Sequence, residues 1–156
     1  MQQAKIGIDF HGVISAAPQQ FAIFCQEIRR RGIAVYIISG GPKPDIMRYL
    51  ETHHIEYDVI WAILDYCEAQ GTVHFYEDGS FQVPTAIWDK AKACYCAEQN
   101  ILFHIDDSPI YGKYFTTPYC EYDICQNRCI ALDKEIDFSQ PYQAAADIAA
   151  LITQQP

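Results

Sequence analysis

The sequence is short of positive charge, long apolar runs and repeated segments. Eleven Lys and Arg stand against twenty Asp and Glu in 156 residues, a formal net charge of −9. Such a balance argues against non-specific binding of DNA or RNA, which calls for a basic face. It does not argue against binding an anion, because a bound divalent cation inverts the field of an acidic site. The longest apolar run, Val59 to Leu64, is too short to span a bilayer, so no membrane partner is expected. Met1 to Lys5 holds no charged segment followed by an apolar stretch, so no signal peptide is expected and the cytoplasm is the expected location. Seven cysteines are present, but no C-x-x-C pair and no histidine pair at finger spacing. An odd number in a chain of this kind predicts thiols packed as small hydrophobes rather than a disulfide framework.

What is present alternates. Lys5 to Asp9 is an apolar segment ending in an acid, the pattern of a buried strand delivering Asp9 at its tip. Pro18 opens a helical pattern carried by Phe21, Phe24, Cys25 and Ile28, which Gly32 closes. Ala34 to Ile38 reads as a second strand ending in Ser39-Gly40-Gly41, and a helix from Pro44 turns Ile46, Met47 and Leu50 inward. Tyr57 to Leu64 is a third strand. Around Glu77-Asp78-Gly79, two β-prone segments predict a hairpin inserted at about residues 70–84. A helix after Pro84 carries Ile87, Ala91, Cys94, Tyr95 and Glu98 on one side and stops at Asn100. Ile101 to Ile105 is a fourth strand, ending in Asp106-Asp107, and Arg128 to Leu132 a fifth, before a closing helix with Ala145, Ile148, Leu151 and Ile152. The whole chain, 1–156, therefore reads as one α/β domain. Its expected form is a Rossmann-like three-layer α/β/α sandwich with a mostly parallel five-stranded sheet.

Ligands of open parallel sheets bind beyond the carboxyl ends of the strands. Here those ends carry Asp9, Ser39 and the pair Asp106-Asp107. Carboxylates brought together in one place repel unless a proton or a cation sits among them, and octahedral Mg²⁺ is suited to that role.

Taken in order, Ile6-Gly7-Ile8-Asp9-Phe10-His11-Gly12-Val13-Ile14, Ile37-Ile38-Ser39-Gly40, a lysine at 90 or 92, and Ile105-Asp106-Asp107-Ser108 resemble the four motifs of the haloacid-dehalogenase-like (HAD-like) phosphohydrolases. The resemblance runs from Lys5 to about Leu132. It implies a Mg²⁺-dependent phosphomonoesterase in which Asp9 attacks phosphorus and carries an aspartyl-phosphate. Ser39, with Gly40 and Gly12, would hold the substrate's phosphoryl oxygens. Lys90 or Lys92 would neutralise Asp9 and the transferring group. Asp9, the His11 backbone carbonyl, Asp106 and Asp107 would hold the metal.

One position departs from the pattern. The family places a second Asp two residues after the nucleophile, and this sequence has His11. Histidine titrates near neutral pH, so it can give and take a proton in that Asp's place. As a simple turn residue it would not. Two functions follow: a hydrolase of a phosphorylated small molecule, a metabolite or nucleotide, and a catalytically impaired binding or regulatory domain that keeps metal and phosphate binding. A receiver-like phosphoacceptor also uses a strand-end Asp with Mg²⁺, but its acidic pair normally lies near the N-terminus. The aromatic segment Tyr111 to Tyr122 follows the acidic pair and could rim the site. His104, inside an apolar strand, reads as a hydrogen-bonded core histidine.

Overall fold

A strand covered by helices on both faces must be apolar on both, and Ile6, Gly7 and Ile8 are all buried. They belong to β1 (Lys5–Ile8), the centre of the sheet. The computed structural model describes residues 2–155. After β1 come α1 (Pro18–Arg30), β2 (Ala34–Ser39), α2 (Lys43–Thr52), β3 (Val59–Ala62) and α3 (Ile63–Ala69). A small antiparallel pair follows, β4 (His74–Phe75) with β5 (Phe81–Gln82), then α4 (Thr85–Glu98), β6 (Phe103–Asp106) and the single turn α5 (Pro109–Gly112). The chain ends in β7 (Tyr119–Glu121), β8 (Arg128–Ala131), β9 (Lys134–Asp137) and α6 (Pro141–Thr153).

The main sheet has the order β3-β2-β1-β6-β7, and all four pairings are parallel. The fold is α/β and Rossmann-like. From β1 the chain builds outward through β2 and β3, then crosses back to place β6 on the other side of β1. The β1–β6 boundary is thus the topological switch point, where a crevice opens at the carboxyl ends.

Side chains alternate between faces along each strand. Ile6, Ile8, Val35, Ile37, Phe103 and Ile105 enter one core with Phe21 and Phe24 of α1, Leu50 of α2 and Ile148 of α6. Phe21, Phe24 and Phe138 meet there at ring distances of 5.1 to 5.9 Å. Truncating one such ring costs about 3–5 kcal/mol. On the opposite face Ile38 packs with Cys96 and Ile101, and Ala91 packs with Ile63 and Cys67 of α3. Gly7 has no room for a side chain there, since a Cβ would lie 2.5 Å from His104 Nδ1 and 2.7 Å from Ile38 Cδ1.

Four expectations need correction. The fifth strand of the sheet is Tyr119–Glu121, and Arg128–Ala131 instead pairs antiparallel with β9. Its burial alternates, with Cys129 and Ala131 buried and Ile130 exposed, which suits a hairpin lying on a core and not a strand covered on both faces. Leu132 and Asp133, both at positive φ, make its tight turn. Cys120 and Cys129 are joined as a disulfide that fastens this hairpin to the sheet edge, while Cys25, Cys67, Cys94, Cys96 and Cys125 are free. Met47 is 42 % exposed, because Ile46 and Leu50 already fill the inward face of α2. On α4 the buried residues are Ala91, Lys92, Ala93 and Cys96, whereas Ile87, Cys94 and Glu98 face outward.

Beyond the ends of β4 and β5 the Tyr76 N–H donates to the Ser80 carbonyl, which leaves Glu77-Asp78-Gly79 as the loop at the tip. It is closed by the Gly79 N–H on the Tyr76 carbonyl and by Asp78 Oδ1 accepting from the Ser80 N–H, with Gly79 at φ +86°. A three-residue loop ending in a left-handed glycine is a common hairpin connection. Val73 and Val83 anchor its base against Ile63, Cys67 and Ala91. No helix among the described residues is long and apolar enough to cross a membrane.

Candidate active site

Asp9 lies one residue beyond β1, and its N–H donates to the Ile105 carbonyl at 2.8 Å, tying the tips of β1 and β6 together. Alternation along β6 sends Phe103 and Ile105 to the α1 face. His104 and Asp106 therefore turn to the face covered by α4. Lys92 approaches from α4 on that side. Its Nζ donates to Asp9 Oδ1 at 2.8 Å and to Asp106 Oδ2 at 2.7 Å. Asp9, Lys92 and Asp106 are 4 %, 2 % and 0 % exposed. His104 completes the buried cluster, with Nε2 3.0 Å from Asp106 Oδ2 and its ring stacked on Phe115. A carboxylate only accepts hydrogen bonds, so Nε2 carries the proton in the neutral ring.

The charges do not balance: one buried cation faces two buried carboxylates, with Asp107 beside them. Burial raises the Asp9 carboxyl from 3.8 to about 7. Lys92 works against that shift, while Asp106 and Asp107 add to it. Burial also works upward on Asp106, but Lys92 and then His104 outweigh it and hold that carboxyl below the usual range. For Lys92, burial would depress the ammonium, yet Asp9 and Asp106 hold it above the ordinary lysine value. Burial lowers the His104 pKa despite the Asp106 carboxylate, so the ring is neutral at pH 7.

Oxygen atoms of Asp9, Asp106 and Asp107 lie within 4.8 Å of one another. Three hard oxygen donors around a surplus of negative charge fit a divalent cation. Gly12 leaves room for this group: it sits at φ +79°, and a Cβ on it would collide with the Asp107 carboxylate.

Outside the buried cluster is a cleft of about 360 Å³. Asp9, Lys92 and Asp107 reach it from the strand ends and α4, and His11, Gly40 and Gly41 line one side. Phe81, Trp88, Ser108 and Tyr111 complete the lining. His11 is exposed, with Nε2 3.3 Å from the Gly41 carbonyl oxygen. Ser39 is fully buried and its Oγ has no hydrogen-bond partner among the described residues, an unmade bond that native interiors rarely leave. The cleft itself is bordered by the glycines that follow it.

Of the two lysines, the structure brings Lys92 to the carboxylates. Lys90 is exposed, with its ammonium 5.6 Å from the Tyr114 ring. Sequence reasoning passed over Phe81, Trp88 and Ser108. Trp88 precedes Lys92 by four residues, one helical turn on the same side, which was the available signal. Ser108 caps α5, its Oγ accepting from the Tyr111 N–H at 3.2 Å and its own N–H donating to Asp106 Oδ1 at 3.1 Å. No family model and no curated protein sequence matches the chain.

Proposed function

We propose that the protein is a HAD-like, Mg²⁺-dependent phosphohydrolase acting on a phosphorylated small molecule. The observation that carries this reading is Lys92, held between Asp9 at the tip of β1 and Asp106 at the tip of the adjacent β6, with Asp107 in reach. The sheet order supports it, since the switch point falls between those two strands. The small antiparallel β4–β5 pair is, on this reading, an insertion that serves as a partial cap.

Asp9, Asp106 and Asp107 would hold Mg²⁺ with the His11 backbone carbonyl, and the bound ion would offset the carboxylates and the phosphoryl charge. Lys92 keeps Asp9 close to a fixed cation and so favours its ionised, nucleophilic form. The Asp9 carboxylate attacks phosphorus. An Oδ–P bond forms, the ester P–O bond breaks, and the leaving oxygen takes a proton from the His11 imidazolium. His11, now neutral, accepts a proton from water as that water attacks the phosphorus of the aspartyl-phosphate, releasing phosphate and free Asp9. The backbone at Gly40, which borders the cleft, would supply hydrogen bonds to phosphoryl oxygens, whereas the Ser39 hydroxyl is buried behind it and Gly12 does not line the cleft.

A second reading rests on His11. Its Nε2 lies against the Gly41 carbonyl, so a proton held there is engaged by backbone. In that case the domain binds metal and phosphate without turnover. Phosphate release from a panel of phosphomonoesters separates the two, run with Mg²⁺ and with chelator. The hydrolase reading expects metal-dependent release that is lost in Asp9→Asn and falls about 10²–10⁴-fold in His11→Ala. Mg²⁺ binding with no release from any ester would establish the second reading.

A further inference from the structure

The cleft is charged where it is deep and aromatic where it is open. Phe81, Trp88 and Tyr111 reach it from three separate segments. Phe81 and Trp88 have ring centroids 5.7 Å apart, inclined by 32°. The Trp88 indole N–H donates to the Tyr111 hydroxyl at 2.8 Å, which fixes both rings. Opposite Trp88 lies Gly40, where an added Cβ would sit 3.1 Å from the indole, so the ring lies directly over the end of β2. Tyr111 in turn faces the Lys92 ammonium at 5.0 Å from its ring centroid. The aromatic surface therefore begins at the buried ion cluster and runs outward to Phe81, which is 41 % exposed.

A rigid aromatic surface open to water beside an anion site is suited to a ligand with both an apolar face and a charge. We propose that this wall is a subsite for a planar ring, and that the preferred ligand is a monophosphate whose phosphate-bearing group carries such a ring. That assignment rests on the phosphohydrolase reading for the phosphate end alone. A volume of about 360 Å³ lies in the range of small-molecule sites. A ring joined directly to the phosphate oxygen, as in an aryl phosphate, and a base one ribose away, as in a nucleoside monophosphate, share this chemistry. Stacking on fixed aromatic side chains tolerates either.

The test separates ring binding from turnover. Calorimetry with Mg²⁺ compares benzylphosphonate and propylphosphonate, whose C–P bonds do not hydrolyse. The matching turnover assay compares phenyl phosphate, adenosine 5′-monophosphate and glycerol phosphate. We expect benzylphosphonate to bind about 5- to 150-fold tighter than propylphosphonate, the range of one stacking contact. That ratio should shrink towards one in Phe81→Ala, a change on the exposed β5, and in Trp88→Leu. Equal affinities in the unaltered protein would overturn the proposal, as would a preference that survives both substitutions or no binding of either phosphonate. Ring preference without release from any ester would keep the subsite and refute the hydrolase. Ester hydrolysis without ring preference would do the reverse. The larger gain between phenyl phosphate and adenosine 5′-monophosphate shows how far the ring stands from phosphorus.

Discussion

Replacing Asp9 with Asn should make the metal-free protein more stable at pH 8, although Asp9 is buried and ion-paired. Lys92 has one charge to share between Asp9 and Asp106, and Asp107 adds repulsion. The Asp9 carboxyl stands at about 7 in the folded protein against 3.8 for the ordinary group. Between those values the folded state keeps a proton that the unfolded state has released, so stability falls as pH rises through this window. About three pKa units at 1.36 kcal/mol each amount to roughly 4 kcal/mol, all of it present below pH 3.8 and lost above pH 7. Asparagine keeps an acceptor for Lys92 and removes the charge. Its amide N–H groups must be satisfied in a dry site, which offsets about 1–3 kcal/mol. The net gain at pH 8 is then about 1–3 kcal/mol, or roughly 2–12 °C in Tm for a chain of this size.

Urea unfolding in chelator, at steps from pH 5 to 8, measures this difference. His104, whose pKa is lowered, contributes stability that is lost as pH falls, but it does so in both proteins and cancels in the difference. The shifts of Asp106 (downward) and Lys92 (upward) act below and above the window. The gap between variant and unaltered protein should open with rising pH. Saturating Mg²⁺ should close it by stabilising the unaltered protein, by about 2.7 kcal/mol at a hundred times Kd. An Asp9→Asn protein less stable than its parent at pH 8 in chelator would refute the reasoning, because the Asp9–Lys92 pair would then be a net gain.

Lys92→Met should cost about 3–5 kcal/mol at pH 8, since it leaves two carboxylates buried without their cation. Part of that loss should return at pH 5, where Asp9 is protonated; a loss independent of pH in urea titrations would assign it to packing instead. Gly12→Ala should weaken Mg²⁺ binding, because a Cβ there collides with Asp107 at a positive φ. Calorimetric titration should show at least a tenfold loss, and unchanged affinity would remove Asp107 from the proposed metal site.

The central strands were legible because continuous apolar runs, ended by Asp9, Ser39 and Asp106, have few alternative readings. The sheet edge was not. Tyr119–Glu121 contributes three residues, too few for any periodicity to emerge, and it lies inside an aromatic segment behind Pro118. Arg128–Ala131 has the composition of a strand and is one, but its partner is β9. Which strand pairs with which is decided by long-range contacts, here including the Cys120–Cys129 bond, and spacing along the chain carries no record of them.

The site divides along the same line. Asp9, Asp106 and Asp107 announce themselves because an acid at the end of an apolar strand has little structural reason to be there. Lys92 does not, because a lysine on a helix reads as solvated, and α4 hides its inward face by building it from Ala91, Lys92, Ala93 and Cys96. A helix whose buried side carries a charge has weak amphipathic contrast, and the apolar stripe of Ile87, Cys94 and Tyr95 then draws attention to the wrong face. The distinction between Lys90 and Lys92 is only two positions in sequence, yet on a helix it is about 200° of rotation, the difference between solvent and the Asp9 carboxylate. Phe81 and Trp88 were less visible still, whereas Tyr111 opens the aromatic segment expected to rim the site. Aromatic residues are default core material, and only the hydrogen bond between Trp88 and Tyr111 and the exposure of Phe81 mark these three as a wall rather than packing. On the proposed reading, the groups that would meet a phosphate are written in local pattern, whereas any preference for what that phosphate is attached to would reside in tertiary contact, and the Phe81→Ala affinity ratio is the quantity that reads it.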